Sequence, residues 1–380
     1  MLHTASIPDV AVLGGGLFGR LIAWRLARAG RRIALYEKGE PSGRSAAAWV
    51  AAAMLAPLSE AASAEPLLVR LGAASLESWA KWLPQLPEPV FFQRNGTLIV
   101  WHPADRAEWP LFEQRIRVNA SSTMLCDGIV TLHGSQVTQA EPALGTRFHN
   151  ARLLAGEGQL DNRQLLAALG RALDELHVDT HWRTYVRDDA FPAAGLVIDC
   201  RGLGAKQVWS GLRGLRGEVA RVHAPGIGLS RPVRLLHPRY PLYIAPKQND
   251  HYVIGATEIE GEDMSPVSVR SALELLSAAY SLHPAFGESR ILELNTHCRP
   301  TLPDHLPALS WDGATVLRVN GLYRHGYMIA PEMTRETAWL TGAFLDAQIR
   351  DTDDFSVWCA ASRWPMLYRT ATLQPSLTDT

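Results

Sequence analysis

The chain has 380 residues, of which 47% are hydrophobic and 20% are charged, so it can bury a large core and is not intrinsically disordered. At roughly 150 residues per domain, this length favours two domains. Lysine and arginine (37 residues) nearly balance aspartate and glutamate (38 residues), and the resulting net charge of -1 disfavours a nucleic-acid partner bound through its phosphates.

The first predicted elements are a strand, a glycine-rich turn, a helix and a second strand. Residues 10–13 are a short apolar run, residues 17–29 have the apolar spacing of a helix, and residues 33–36 are a second strand. We expect Arg20, Arg25 and Arg28 on this helix to face solvent and Gly30 to end the helix. This order requires a parallel sheet with helices packed on it.

The turn between the first strand and the helix carries a phosphate-binding pattern. Residues 14–19 read Gly-Gly-Gly-Leu-Phe-Gly and fit G-x-G-x-x-G, in which Gly14 allows a tight turn, Gly16 lets the backbone approach a pyrophosphate, and Gly19 lets the helix pack closely. Glu37 ends the second strand, where a carboxylate can accept hydrogen bonds from ribose hydroxyls and disfavours a 2′-phosphate. The pattern favours dinucleotide binding over a purely structural glycine turn.

The middle of the chain changes character towards antiparallel strands. The Asn-Gly pair at residues 95–96 lies between two strand-like runs and predicts a hairpin. Residues 242–245 and 252–255 bracket a polar turn and predict a second antiparallel pair. Between these regions, a helix at about residues 162–176 and a strand at 196–198 predict a return to the first sheet.

The four cysteines are scattered and form no metal-binding or disulfide pattern, which fits a reducing, cytoplasmic location. We expect no secretory signal, no membrane association and no metal site. The patterns of metalloproteases, α/β-hydrolases and P-loop proteins are also lacking from the sequence.

A family resemblance extends the dinucleotide prediction to a flavin. The segments 37–39 (Glu-Lys-Gly), 43–45 (Gly-Arg-Ser) and 51–57 (Ala-Ala-Ala-Met-Leu-Ala-Pro) resemble the D-amino-acid oxidase superfamily of flavoproteins, and within it the glycine oxidases of thiamine biosynthesis. The sequence departs from the family at Ala53, where glycine is usual. Further segments resemble the family in order along the chain, namely 95–97, 158–161, 198–202, 216–218, 243–246, 254–257, 299–300 and 321–331.

The resemblance implies an α/β fold, α+β overall, in which a doubly wound, Rossmann-like FAD-binding domain carries an antiparallel-sheet substrate domain. We predict that the FAD-binding domain is discontinuous and comprises residues 1–85, 135–218 and 300–380. The substrate-binding domain is predicted to comprise residues 86–134 and 219–299.

The resemblance also implies the residues that bind FAD. These candidates are Gly14, Gly16, Leu17, Phe18, Gly19, Glu37, Lys38, Arg44, Ser45, Ala52, Ala53, Met54, Gly202, Gly321, Tyr323, Arg324, His325, Gly326, Tyr327 and Met328. In sarcosine oxidases, which are relatives, a cysteine near the late Arg-Pro motif attaches the flavin covalently. Here His297 occupies that place and Cys298 lies one position away, so we expect non-covalent FAD.

Three residues are the candidate catalytic groups. Arg299 of the Arg-Pro motif can hold a substrate carboxylate through a bidentate pair, Tyr243 can hydrogen-bond the same carboxylate, and Arg324 can place positive charge near the flavin. The alternatives are a surface ion pair for Arg299, a packed strand aromatic for Tyr243 and an exposed loop position for Arg324. Hydride transfer from a neutral amine needs no enzymic base, so no histidine is assigned a catalytic role.

The expected reaction is FAD-dependent oxidative deamination of glycine or another small amino acid or secondary amine acid, with reoxidation by O2 to give H2O2. By resemblance, the imine of glycine would supply thiamine thiazole synthesis. A D-amino-acid or sarcosine oxidase or dehydrogenase of the same fold remains an alternative. An RNA-modifying oxidase is disfavoured by the net charge, and a flavin-binding protein with a sensing role stays open. The predicted partners are the small substrate and O2, and the resemblance leaves a homo-oligomer open.

Overall fold

The architecture is described from a computed structural model, in which residues 7–238 and 242–369 are described. Within these ranges the strands are β1 (Val10–Leu13), β2 (Ile33–Glu37), β3 (Met54–Leu55), β4 (Phe92–Gln93), β5 (Thr97–Trp101), β6 (Ile129–His133), β7 (Asn150–Leu154), β8 (Gly158–Leu160), β9 (Asp179–Trp182), β10 (Leu196–Asp199), β11 (Arg213–His223), β12 (Val233–Leu236), β13 (Leu242–Pro246), β14 (His251–Gly255), β15 (Ile259–Glu260), β16 (Arg290–Thr301), β17 (Ala308–Trp311), β18 (Val316–Asn320) and β19 (Tyr368–Arg369). The α-helices are α1 (Leu17–Arg28), α2 (Ala47–Val50), α3 (Pro57–Glu60), α4 (Pro66–Trp82), α5 (Glu108–Asn119), α6 (Ser122–Gly128), α7 (Ser135–Ala140), α8 (Asn162–Glu175), α9 (Val269–Leu282), α10 (Gly326–Leu345) and α11 (Thr352–Ala361).

The first sheet has seven strands in the order β19-β17-β18-β10-β1-β2-β9. The β1 strand lies inside this sheet, is fully buried and pairs in parallel with β2 and β10. Val10 and Val12 face a core shared with α1, α4, α8 and α10, whereas Ala11 and Leu13 face the opposite side, which Val186 helps to cover. The predicted strand-helix-strand start and the helix near residue 162 are therefore confirmed.

The buried side chain of Arg20 corrects one prediction for α1. Its guanidinium donates hydrogen bonds to the carbonyl oxygens of Gly15 (2.8 Å), Leu166 (2.9 Å) and Pro41 (2.7 Å). The prediction of a solvent-facing Arg20 was wrong because this side of α1 packs against α8 and the segment after β2, whereas Arg28 is exposed as expected. Three backbone carbonyl groups from different segments accept hydrogen bonds from this one planar group.

The second sheet has nine strands in the order β15-β11-β14-β13-β12-β5-β7-β6, with β16 also paired to β11. Its pairs are antiparallel except for β5 with β12. The predicted antiparallel pair of residues 242–245 and 252–255 is confirmed as β13 with β14, where Tyr243 lies opposite Gly255. A parallel α/β sheet combined with a largely antiparallel second sheet confirms the predicted fold class.

The predicted hairpin at residues 95–96 is wrong. Gly96 does adopt a left-handed conformation (φ 88°) that reverses the chain. The flanking strands nevertheless diverge, because β4 pairs with β8 in a small three-stranded sheet whereas β5 pairs with β7 and β12. Turn chemistry thus fixes the change of direction, and tertiary packing decides which strands pair.

The division into two domains stays a prediction. Strand β7 (Asn150–Leu154) and β11 (Arg213–His223) belong to the nine-stranded sheet, although the predicted boundaries put 135–218 in the FAD-binding domain. Across the described residues, no helix combines the length and apolar character needed to span a bilayer. In the same ranges, no three His, Cys, Asp or Glu side chains are grouped as a metal site requires.

Candidate active site

A cavity of about 1040 Å³ lies where the carboxyl ends of β1 and β10 meet the face of the nine-stranded sheet. It runs from the glycine-rich loop to β11, β13 and β16, so it joins the predicted cofactor residues to the predicted catalytic residues. Every predicted cofactor residue lines it except Arg44 and Gly321. The volume is at the upper end of the roughly 300–1,000 Å³ of ordinary ligand sites, which suits a dinucleotide together with a small substrate.

The glycine-rich loop forms one end of the cavity. Gly14 has φ 101°, and a Cβ on Gly19 would lie only 1.7 Å from the carbonyl oxygen of Gly14, so a side chain at either position is excluded. Within the described chain no side chain caps the start of α1 and no acid lies in its first turn. Its N–H groups and its positive end therefore face the cavity, where a diphosphate fits.

Glu37 joins the two loops at this end of the cavity. Its carboxylate accepts hydrogen bonds from the backbone N–H groups of Gly15 (2.5 Å) and Gly39 (2.6 Å). It also lines the cavity, so its remaining lone pairs can accept from a ribose hydroxyl. These observations fit the predicted dinucleotide site.

The segment Ala52, Ala53 and Met54 lines the middle of the cavity. Ala53 has φ 52°, a left-handed conformation that favours glycine, which gives the family's usual glycine at this position a physical reason. The backbone N–H of Leu160 donates to the carbonyl oxygen of Ala53 (3.1 Å), which ties the segment to β8.

Lys247 supports this segment from behind and was missed by the sequence analysis. Its ammonium donates to the carbonyl oxygens of Ala52 (2.8 Å) and Leu160 (2.7 Å) and to Oε1 of Gln159 (3.1 Å). The side chain is buried, and burial lowers its pKa to about 7. The sequence did offer one signal for this role, since Lys247 directly follows the strand-like run 242–246. A lysine that is buried there needs a specific partner.

Arg299 lies on β16 at the other end of the cavity. Its guanidinium donates to the carbonyl oxygen of Thr257 (3.1 Å) and more weakly to that of Arg216 (3.5 Å). Within the described part of the chain no carboxylate lies within 4 Å of it, which argues against the surface ion-pair alternative. Gly217 makes room for it, because a Cβ there would be 2.2 Å from Nη2 of Arg299.

Tyr243 lines the same end of the cavity from β13. A Cβ on Gly255 would be 2.6 Å from its hydroxyl oxygen, so the glycine opposite it on β14 makes space for the ring. Burial raises the pKa of Tyr243, and the nearby Arg299 opposes this shift. Tyr243 is therefore a neutral phenol that can donate a hydrogen bond to an acid group held by Arg299.

Glu60, at the end of α3, is the centre of a charged cluster that the sequence analysis did not identify. Its carboxylate accepts from Nη2 of Arg234 (2.7 Å) and lies 3.1 Å from Nε of Arg324 and 3.5 Å from Nδ1 of His325. Burial opposes ionisation of Glu60, but Arg324 and Arg234 hold its pKa well below the usual range. Burial lowers the pKa of His325 to about 4, so His325 is neutral at neutral pH.

Arg324 lines the cavity, and its two terminal nitrogens are hydrogen-bonded, whereas its Nε has no hydrogen-bond partner among the described residues. Besides Glu60, its guanidinium binds Glu258 (2.9 Å) and the hydroxyl oxygen of Ser63. Although burial alone would lower it, the pKa of Arg324 is raised by Glu60, Tyr323 and Glu258. Arg324 is not an exposed loop residue, and its charge is compensated by two carboxylates.

His297 and Cys298 lie next to Arg299 and also line the cavity. A ring nitrogen of His297 lies 3.1 Å from the carbonyl oxygen of Ser45, which connects β16 to the segment after β2. The thiol of Cys298 points to the carbonyl oxygens of Gly261 (3.7 Å) and Asp263 (3.9 Å), and burial raises its pKa. A buried thiol of raised pKa is a weak nucleophile.

The structure does not bring Arg44 and Gly321 to the cavity lining. Arg44 is exposed and its guanidinium lies 5.5 Å from the ring of Trp49. Gly321 has φ 76° and closes the turn after β18, where a Cβ would be 2.7 Å from Leu302 and 2.8 Å from the carbonyl oxygen of Leu306. Arg44 therefore packs near Trp49, and Gly321 serves a tight turn.

Comparisons with known proteins agree with this geometry. The family described as FAD dependent oxidoreductase (DAO) matches residues 9–340. A Rhizobium etli protein whose name describes a thiamine biosynthesis oxidoreductase, ThiO, is 39% identical over 329 residues, covering 87% of this chain and 95% of that protein. A glycine oxidase from Geobacillus kaustophilus is 28% identical over 347 residues, covering 85% of this chain and 90% of that protein.

A solved structure extends the comparison to the fold. The crystal structure of glycine oxidase from Geobacillus kaustophilus superposes with a TM-score of 0.73 at 24% identity. The match covers 90% of this chain and 95% of that one.

Proposed function

Because the chain belongs to the family of FAD-dependent oxidoreductases (DAO), we propose that it oxidises glycine or another small amino acid or secondary amine acid. The observation that carries this proposal is Arg299, a guanidinium with no acid within 4 Å among the described residues, at the end of the cavity remote from the glycine-rich loop. An unpaired guanidinium in a partly buried site is suited to a carboxylate ligand.

Arg299 and Tyr243 are the residues we propose for substrate orientation. The planar guanidinium would hold the carboxylate through two parallel hydrogen bonds, and the Tyr243 hydroxyl would donate a third. Fixing the carboxylate at this end directs the α-carbon towards the middle of the cavity, which Ala52, Ala53 and Met54 line. Orientation of this kind supplies a large part of catalysis when no enzymic base is needed.

We assign FAD to the part of the cavity between the glycine-rich loop and segment 52–54. We propose that the diphosphate of FAD lies at the start of α1, that its ribose hydroxyl contacts Glu37, and that its ring system lies along segment 52–54. Bound FAD would accept the hydride from the substrate α-carbon and pass its electrons to O2, giving H2O2. We propose non-covalent attachment, because the Cys298 thiol is turned towards backbone carbonyl oxygens. Acid precipitation should then release the flavin from the protein.

The finer substrate assignment rests on the relatives' names. Since the Rhizobium etli protein is named for thiamine biosynthesis, we propose that the imine formed from glycine serves thiazole synthesis. A D-amino-acid or sarcosine oxidase, or a dehydrogenase that uses an electron carrier in place of O2, remains the alternative. The roles of the other cavity residues, a homo-oligomeric state and a cytoplasmic location also stay predictions.

Anaerobic titration of the flavin-loaded protein with glycine, sarcosine and D-alanine tests this proposal. We expect at least one of them to bleach the flavin absorbance, with peroxide formed when air is admitted. Bleaching without peroxide would favour the dehydrogenase, and a flavin that none of the three reduces would contradict the proposal. Arg299→Ala should weaken these substrates far more than it weakens FAD binding. Equal activity in that variant would remove Arg299 from the site.

A further inference from the structure

The charged groups at the Arg299 end of the cavity are unequally compensated. Arg234 and Arg324 line the cavity and are paired with the carboxylates of Glu60 and Glu258 at 2.7–3.1 Å. Arg299 has no acid within 4 Å in the described part of the chain, and the same is true of Arg115 and Arg270, which line the cavity from α5 and α9. Arg299 is thus a guanidinium without an acid partner, and the ionised Glu60 and Glu258 line the same cavity.

Glu258 is the acid closest in sequence to the contacts of Arg299. It directly follows Thr257, whose carbonyl oxygen accepts the Arg299 hydrogen bond. Its carboxylate binds Arg324 at 2.9 Å and accepts a hydrogen bond from Tyr323. These contacts leave acceptor capacity on a half-exposed side chain that lines the cavity.

Burial alone would disfavour the charged form of Glu258, but the net shift of its pKa is downward. The hydrogen bond from Tyr323 and the charges of Arg324 and Arg299 produce this shift. Glu258 is therefore ionised at neutral pH, and Arg299 is close enough to contribute to that state.

We propose that Glu258 is a specificity-determining residue that restricts the site to substrates with a single acid group. The first carboxylate of a substrate pairs with Arg299, and a second one then meets the negative charge of Glu258 with Arg234 and Arg324 already paired. Rejection by an introduced like charge is a common source of specificity. The inference rests on the proposed function, because it concerns the amino acid that would occupy this site.

Sarcosine and iminodiacetate are the matched probes, because both are N-substituted glycines and only iminodiacetate has a second carboxylate. Any attraction of Glu258 for the amine is shared by both, so the ratio of their kcat/KM values isolates the second acid group. Glu258→Gln removes the charge and keeps the length of the side chain. It also leaves Arg324 with one carboxylate fewer, which favours a second substrate carboxylate further.

In Glu258→Gln we expect the ratio of kcat/KM for iminodiacetate over sarcosine to rise at least about 10-fold. Glu262→Gln is the control, because Glu262 lies in the same segment but pairs with Lys206 (2.7 Å) outside the cavity lining. Its ratio should equal that of the unmodified protein. Glu258→Met provides a second neutral variant in case the glutamine variant folds poorly. An unchanged ratio in a folded, flavin-containing Glu258 variant would overturn the proposal.

A binding measurement separates this inference from the proposed function. Acetate and malonate, which carry one and two acid groups and are not oxidised, are titrated against the flavin absorbance of each holoprotein. We expect Glu258→Gln to tighten malonate relative to acetate, and Glu262→Gln to leave their ratio unchanged. If no amine is oxidised but malonate tightens, the proposed reaction fails and the charge selectivity stands. If amines are oxidised but neither ratio changes, the reaction stands and the role of Glu258 is refuted.

Discussion

Gly217→Ala tests whether the position of Arg299 matters, because it moves that guanidinium without replacing it. Gly217 lies on β11, opposite His297 of β16, and its missing side chain leaves the space that Arg299 fills. An added Cβ would lie 2.2 Å from Nη2 and 2.3 Å from Cζ of Arg299. Gly217 has no left-handed φ, so alanine is compatible with its backbone.

The expected size of the effect follows from these distances. Ordinary contact with a Cβ begins at 3.4 Å, so Nη2 must retreat by 1.2 Å (3.4 − 2.2). A displacement of about 1 Å can cost about 100-fold in rate, and losing one charge-assisted hydrogen bond costs about 1.5–3 kcal/mol. We therefore expect kcat/KM to fall by about 10- to 100-fold for carboxylate substrates. The free energy of unfolding should change little, because the end of a flexible side chain moves and the strand does not.

Steady-state kinetics of peroxide formation and a urea unfolding curve are the measurements. Gly342→Ala in α10 is the matched control, because its Cβ would meet no described atom within 4 Å and activity should be kept. The double variant with Arg299→Ala gives the decisive comparison. If Gly217→Ala acts through Arg299, it adds little to the loss caused by Arg299→Ala. Additive losses, or full activity in Gly217→Ala, would refute this reasoning.

Two further variants concern the segment behind the proposed flavin ring. Ala53→Gly removes the side chain from a residue in the left-handed conformation (φ 52°). Relief of backbone strain should contribute about 1–2 kcal/mol, and the greater conformational entropy of glycine in the unfolded chain offsets part of it. The free energy of unfolding should therefore rise by up to about 1 kcal/mol. Urea unfolding measures this gain, and a loss of stability would contradict the strain argument. Lys247→Met tests the contribution of the buried ammonium group. Burial lowers the pKa of Lys247 to about 7, below its ordinary value of 10.5. Between these two pH values the unfolded chain therefore binds more protons than the native protein. Stability due to Lys247 should therefore increase as pH rises through this window, by up to about 1.4 kcal/mol per pH unit, and it should be lost as pH falls towards 7. The same unfolding series in Lys247→Met should lack this contribution, and an identical pH slope in both proteins would count against it.

Local signals were sufficient for the elements that carry the cofactor end of the cavity. The apolar run at Val10–Leu13, the glycines that follow it and the acid at Glu37 are close together in sequence, and each has a conformational or chemical reason to be there. The helix Asn162–Glu175 was also predictable, because Asp161 caps it and its apolar residues recur with helical spacing. These features depend on neighbours within one element, which periodicity and capping describe.

The substrate end could be predicted only in part, because its residues acquire their roles from distant partners. Arg234 meets Glu60 across 174 positions of sequence, and no periodicity connects the two. The burial of Arg20 has the same origin, since one of its acceptors, Leu166, is 146 positions away. The family resemblance located Arg299, but it gave no information on which neighbouring guanidiniums are compensated.

Arg299 and Arg324 carry the same charge, but their neighbouring acids give them different capacities to bind a substrate carboxylate. The two terminal nitrogens of Arg324 are hydrogen-bonded to Glu258 and Ser63, and Glu60 lies 3.1 Å from its Nε, so its charge is already compensated by two carboxylates. Among the described residues, the hydrogen bonds of Arg299 go to backbone carbonyl oxygens, which are neutral, so replacing them with a charged acceptor is favourable. A substrate carboxylate should therefore bind at Arg299 even though Arg324 lines the same cavity. In that arrangement Arg324 contributes mainly by holding Glu60 and Glu258 in their ionised forms.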